Sequence, residues 1–298
     1  MSKKNQFGIA FPLIENYFDT NEIKAFSEKK LMDIYASNNM NWKISSSKSA
    51  TSFISFLEKK GVLFSNSFTD ESNSNKIIYS WKTKDDYTVI SGLKNGAYYS
   101  HYSALFLHQL TLQIPKTLYL NQEHSSDTAS GMEKENLTQE KIDKAFLGSQ
   151  RKTKSMYLYL DKKIFILNGK KTDRLGVLKK ANEEQRYQYT DLERTLIDIS
   201  IRPVYAGGVF EVLEAYKKSK GKLNVNKLAN YLKKLDFIYP YHQVIGFYLE
   251  NAGYSELEVD LFEKNIDLKF YLTYDIRNKD FSERWRLYFP KGMKTTKY

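Results

Sequence analysis

The chain of 298 residues has no cysteine at all. That excludes disulfides, thiolate zinc sites and cysteine nucleophiles. Proline occurs only 5 times and histidine only 4 times. No apolar run comes near the ~18 residues that suggest a membrane-spanning helix. The opening "MSKKNQFGIAFPLIENYF" is basic, but its apolar stretch is broken by Pro12, Glu15 and Asn16 and has no small-residue cleavage site. No secretory signal is expected from it, and the natural expectation is a soluble cytoplasmic protein without membrane contact. Also absent are a Walker loop, a G-x-G-x-x-G turn and a G-x-S-x-G elbow.

What is present is charge in one place. The net charge is +11, and residues 151–234 hold 20 Lys and Arg against 9 Asp and Glu. Residues 1–90 hold 12 against 10, and the remaining segments are close to neutral. Such a concentration suits an electropositive face for nucleic acid or an acidic partner. It equally suits a solvated lysine-rich surface.

With 41% hydrophobic residues the chain can supply the cores of two domains. Residues 21–60 read as helices and 62–82 as a hairpin. In "SEKKLMDIYASNN" the residues Leu31, Ile34 and Tyr35 share one helical face. After a turn, "SATSFISFLEKKG" spaces Ala50, Phe53, Ile54 and Leu57 as a stripe and ends at Gly61. Lys48, Ser52, Ser55 and Lys59 fall opposite that stripe. "VLFSNSF" and "KIIYSWK" then read as strands around the polar loop "TDESNSN".

Helix, turn, helix and hairpin is the order of a winged helix-turn-helix, whose second helix enters the DNA major groove. Ser46, Ser47, Lys48, Thr51 and Ser52 are the candidate groove contacts in a recognition helix spanning 46–60. Lys59, Lys60 and Lys76 are the candidate phosphate contacts. A small helical domain used for protein contacts has the same pattern.

From about residue 91 the pattern changes. "YYSHYSALFLHQL" reads as a helix opened by Ser100, and "KTLYLNQ" as a strand. "EHSSDTASGMEKENLTQEK" reads as a long loop. "MYLYL" and "KIFIL" read as strands, with "NGKK" turning after the second. "GGVFEVLEAYKKS", "NVNKLANYLKKLD" and "YHQVIGFYLENAGY" read as helices, and "LKFYLTYD" and "ERWRLYF" as strands. The expected fold class is α+β. A winged helix-turn-helix in 1–90 precedes a larger mixed α/β domain in 91–298.

The chemistry-bearing residues are sparse. His101 and His108 are seven apart on one predicted helix, whereas metal ligands on a helix usually stand about three or four apart. His124 and His242 have no partner at ligand spacing. Gly148-Ser149 precedes Asp161, but Lys162 and Lys163 stand where a nucleotidyltransferase needs its second carboxylate. A nuclease-like reading of "DLK" at 267–269 has only the short end of its pattern. No metal site and no cofactor is expected.

The densest cluster is "TDLERTLIDISIRPVYAGGVF" at 190–210. As a helix it turns Leu192, Leu196 and Ile199 to the core and sets Asp198 four after Arg194, at pairing distance. Gly207-Gly208 before the next helix offers an anion site in principle. Two readings stand beside each other. One is a packed helix–turn–helix held by ion pairs; the other is an acid cluster of Asp191, Glu193 and Asp198 in a nucleic-acid-processing enzyme.

Two blocks, "YYSHYSALFLHQLTLQIPKTLYL" and "YTDLERTLIDISIRPVYAGGVFEVLEAY", resemble the AbiEi family. Its members are the antitoxins of type IV toxin–antitoxin and abortive-infection (phage defence) systems. The resemblance covers most of the chain, with an N-terminal winged helix before the larger domain. It implies a non-enzymatic protein that binds double-stranded DNA at inverted repeats in its own promoter and represses its own operon. It also implies a C-terminal domain that counteracts a nucleotidyltransferase-type toxin without a tight complex. Ser100, His101, Ser103, Ala104 and His108 match the first block. Glu193, Arg194, Thr195, Asp198, Arg202, Pro203, Gly207 and Gly208 match the second. A stand-alone transcriptional regulator without a toxin is the remaining alternative.

Overall fold

The computed structural model describes residues 6–124 and 137–293. In chain order the first elements are α1 (Gln6–Thr20), β1 (Ala25–Ser27), α2 (Glu28–Asn38), α3 (Ala50–Lys59), β2 (Leu63–Asp70) and β3 (Asn75–Trp81). Then come α4 (Asp86–Ser91), β4 (Tyr98–Tyr99), α5 (His101–Leu107), β5 (Thr117–Glu123), α6 (Gln139–Leu147), β6 (Met156–Tyr159) and β7 (Lys162–Gly169). β8 (Val177–Ala181), β9 (Arg186–Thr190), α7 (Leu192–Ile201), α8 (Val209–Ser219), α9 (Val225–Leu235) and α10 (Tyr241–Asn251) follow. The last are α11 (Glu256–Val259), β10 (Phe270–Tyr271), β11 (Lys279–Ser282) and β12 (Leu287–Pro290). The α+β class holds.

The chain divides into two units. The first comprises Met1–Tyr98, Ser155–Ile164 and Lys179–Gln188; the second comprises Tyr99–Lys154, Phe165–Leu178 and Tyr189–Tyr298.

In the first unit, α1 buries Phe7, Ala10, Ile14 and Phe18, the helical spacing of a single face. This helix was not anticipated, because Pro12 lies inside it and reads as a breaker. Ser27 and Ser49 cap α2 and α3, each accepting a backbone N–H of the first turn, from Lys30 and Ser52. The two expected helices are therefore present, although the second starts at Ala50, leaving Ser46, Ser47 and Lys48 in the turn before it.

Phe53 is fully buried and packs its ring against Tyr35 at 4.9 Å and Trp42 at 5.5 Å. After Gly61, whose φ of 73° suits glycine, β2 and β3 pair antiparallel from Leu63↔Trp81 to Thr69↔Asn75. β1 joins the outer side of β3, and β6 pairs antiparallel with the far end of β2.

In the second unit, α10 is buried on nearly every side, from Tyr241 through Asn251. Gly246 makes this possible: a Cβ there would stand 2.1 Å from the Trp285 ring. α7, α8 and α9 surround it with Leu196, Ile199, Val212, Tyr216 and Leu228 in one core. β12 pairs parallel with β10 and antiparallel with β11.

Two expectations change in detail, and two strands are new. The long polar loop falls mostly on residues 125–136, outside the described residues, and its end is helical instead, with Thr138 capping α6. "NGKK" does not turn at once, because β7 runs through Gly169. The strands β8 and β9 were not foreseen.

Candidate functional site

The residues singled out in the sequence fall into two groups, one in each unit. In the first, the turn from Ser45 to Ser49 joins α2 to α3. The Tyr35 hydroxyl donates to the Lys48 carbonyl at 2.9 Å, and the Ser45 and Ser47 hydroxyls lie 2.9 Å apart. This turn fixes Ser46, Ser47 and Lys48 outward, and the first turn of α3 adds Thr51 and Ser52; all five are exposed.

At the other end of α3, Lys59 and Lys60 are also exposed, and the Lys60 ammonium lies 4.2 Å from the Phe11 ring. Lys76 differs. Its ammonium is half-buried and donates to the Leu93 carbonyl at 2.7 Å, and burial lowers its pKa. Exposed Lys29 and Lys30 on α2 and Lys43 in the connection to α3 were not singled out in the sequence, where nothing separates them from other surface lysines. The hairpin tip is acidic: Asp70 accepts from the Ser72 and Ser74 backbones at 2.9 Å each, next to exposed Glu71.

In the second unit the two blocks noted in the sequence lie side by side. His108 Nε2 and the Thr190 carbonyl are 2.7 Å apart, and the His101 ring meets Tyr205 edge-on at 5.5 Å. Ser100 is the N-cap residue of α5, although its hydroxyl is 2.9 Å from His101 Nδ1 and caps no helix N–H. Ser103 accepts from the Tyr119 backbone at 2.8 Å, tying α5 to β5. His101 is buried with a φ of 51°, and burial, with Arg202 and Arg194 adding repulsion, lowers its pKa from 6.5 to about 3. It is a neutral interior imidazole. Ala104 is fully buried below it on α5.

α7 carries the ion pairs. Asp191 caps the helix by accepting from the Arg194 N–H at 2.9 Å. Arg194 donates from Nε to Asp198 at 2.8 Å and from Nη1 to the Leu175 carbonyl at 2.9 Å and Thr172 at 3.1 Å. Thr172 in turn donates through its hydroxyl and its N–H to Glu123. Lys227 on α9 bridges Asp191 at 2.9 Å and Glu193 at 2.8 Å, and Glu193 also accepts from the Asn224 N–H at 3.1 Å. Burial alone would raise the Glu193 pKa, but these donors outweigh it and the net shift is downward. Asp198 goes the other way, because its burial outweighs Arg194 and raises its pKa.

The side chains of Asp191, Glu193 and Asp198 are 7%, 7% and 11% exposed, each held by a cation. Among the described residues no three His, Asp or Glu side chains converge as a metal site. Thr195 is buried with its hydroxyl 2.7 Å from that of Thr190. Pro203 is buried after α7, while Arg202 is exposed beside the Tyr205 ring. Gly207 and Gly208 have φ of 84° and 101°, and Gly208 is the N-cap of α8. The Arg194–Asp198 pair was legible from spacing. Thr172, Lys227 and Tyr231, whose hydroxyl donates to Asp191 at 3.1 Å, were not, since each lies 22 to 40 residues from its α7 partner in the sequence.

No family model matches the chain, and no curated protein matches it. Among solved structures, the RV2827C protein from Mycobacterium tuberculosis shares the fold, with a TM-score of 0.51 and 9% sequence identity. The match covers 94% of this chain and 90% of that one. No helix among the described residues is long and apolar enough to cross a membrane.

Proposed function

We propose that this protein is an antitoxin of the AbiEi type that represses its own operon. The first unit binds the promoter as a winged helix-turn-helix, and the second counteracts a nucleotidyltransferase-type toxin. The observation that carries the reading is the outward face of α3 and the turn before it. Five hydroxyl and ammonium side chains, Ser46, Ser47, Lys48, Thr51 and Ser52, stand exposed there with a buried aromatic face behind them. A helix so divided, followed by a two-stranded hairpin, has the outline of a DNA-reading element.

For the second unit the support comes from the contact between α5 and α7, which joins the two stretches that resemble the family. The burial and ion pairing of Asp191, Glu193 and Asp198 favour a scaffold over an acid-catalysed enzyme. A carboxylate already saturated by Arg or Lys is poorly placed to hold metals or move protons.

The test uses two readouts in one host: a reporter driven by the protein's own promoter, and growth in the presence of the toxin encoded beside it. The wild-type chain represses the reporter and restores growth. The triple variant Lys48→Ala, Thr51→Ala, Ser52→Ala loses repression and still restores growth. Repression by that variant at wild-type level would refute the DNA-reading assignment. Failure of the wild type to restore growth would leave a stand-alone regulator.

A further inference from the structure

The second unit contains a cleft of about 370 Å³ that neither group of residues above uses. It lies where α9 ends and α10 begins. Phe237, Tyr239, His242, Lys233, Asp236 and Lys264 contribute to its lining. Tyr239 is held from behind by the Phe146 and Phe270 rings, at 5.2 Å and 6.0 Å, and Phe237 meets Tyr241 edge-on at 5.6 Å. The aromatic wall is therefore fixed before anything binds.

Lys233 and Lys264 are exposed and have no carboxylate at ion-pair distance among the described residues. Together they outnumber the single carboxylate of Asp236. His242 is largely buried. Its Nε2 atom is buried and has no hydrogen-bond partner among the described residues. Burial lowers the pKa of the ring and so favours the neutral imidazole, in which one nitrogen donates and the other accepts. Buried polar atoms without partners are uncommon, and one beside a cleft points toward a ligand.

These features select a chemical class. A purely hydrocarbon ligand gives the two ammonium groups nothing to bind, and a bare inorganic anion leaves the aromatic wall unused. A planar heterocycle with N–H donors and an attached anionic group uses all three. The volume lies within the ordinary range for small-molecule sites, roughly 300–1,000 Å³.

We propose that this cleft binds a nucleoside phosphate, with the base against Phe237 and Tyr239 and the phosphates toward Lys233 and Lys264. The base presents an amino or ring N–H to His242, which a small shift of the ring makes reachable. This site is independent of the antitoxin reading, since it makes no use of α3 or α7. The shared chemistry covers a free nucleotide and the last nucleotide of an RNA strand.

The experiment is calorimetric titration of the full chain with ATP, GTP, CTP and UTP in turn. For whichever binds, the matching nucleoside, inorganic tripolyphosphate and a four-residue single-stranded RNA ending in that nucleotide are titrated alongside. At least one nucleotide is expected to saturate a single site. The nucleoside and tripolyphosphate should each bind at least about tenfold more weakly, the scale of one lost stacking or charge contact. Lys233→Ala with Lys264→Ala should weaken the nucleotide by about tenfold or more, and Phe237→Ala by about tenfold.

Both lysines are exposed, so an unchanged thermal midpoint is expected for their variant and separates lost binding from lost fold. Tighter binding of the RNA identifies a strand end as the source; weaker or equal binding identifies the free nucleotide. No saturable binding of any of the four, or tripolyphosphate binding as tightly as the nucleotide, overturns the proposal. So does a lysine variant that binds like wild type.

Discussion

His101 is the residue whose environment departs furthest from water in a way that pH can read. Its pKa falls from 6.5 to about 3 through burial. Between those values the unfolded chain takes up a proton that the folded chain refuses, so stability rises with pH across that window and is lost as pH falls. Going from pH 7 to pH 5 should remove about 2 kcal/mol through this group. His101→Asn keeps a residue that tolerates the φ of 51° and removes the titration. Urea denaturation of the variant at the two pH values should show that component gone; an unchanged pH slope would mean that His101 does not carry it.

Arg194 offers a second check at the same scale. Its side chain is 6% exposed and that of Asp198 is 11%. Arg194→Leu strands the carboxylate and the Leu175 carbonyl, and it should cost about 3–5 kcal/mol in the same assay. Loss of less than about 1 kcal/mol would mean that water replaces the guanidinium easily.

At the scale of elements, α3 has one packed face and one exposed face. Phe53→Ala empties the centre of the first unit's aromatic cluster and should cost about 3–5 kcal/mol. Thr51→Ala on the exposed face should change stability by no more than about 0.5 kcal/mol while weakening DNA binding. In α10, Gly246→Ala gains about 1 kcal/mol in helix propensity. It also drives a methyl into the Trp285 ring, and overpacking of that kind costs about 1–3 kcal/mol, so net destabilisation with altered tryptophan fluorescence is expected.

The same elements show what the sequence reveals. α2, α3 and α7 to α9 were legible because apolar residues at helical spacing follow Ser27, Ser49, Asp191, Gly208 and Asn224 at their N-caps, whereas α10 starts after Pro240 and is apolar on nearly every side. α6 has the same signature, Thr138 before Ile142 and Phe146, but sits at the end of a polar stretch that hid it. β8, "VLKKA", has no buried residue and hence no alternation to detect. The α7 ion-pair network was half legible, as Arg194–Asp198 follows from helical spacing while Lys227 comes from another helix.

On the scale of the whole molecule, the net charge of +11 must be separated into free and committed cations. Within 151–234, Arg194 and Lys227 serve the α7 network, whereas Lys152, Lys154, Lys180, Lys218 and Lys222 are among the exposed lysines. Exposed lysines that meet DNA appear in the salt dependence of binding, with a slope of about −0.9 per phosphate neutralised. The first unit takes in β6 and residues 179–188 besides its N-terminal segment. The full chain is therefore the reagent in which promoter binding should be measured.

The most direct measurement is an anisotropy titration of the full-length protein against the DNA upstream of its own gene and against a scrambled duplex, over several salt concentrations. Binding to its own promoter is expected to be at least ~10³-fold tighter than to the scrambled duplex. Loss of that preference is expected in the Lys48→Ala, Thr51→Ala, Ser52→Ala variant. Equal affinity for both duplexes, or a variant that discriminates as well as wild type, would contradict the DNA-reading assignment.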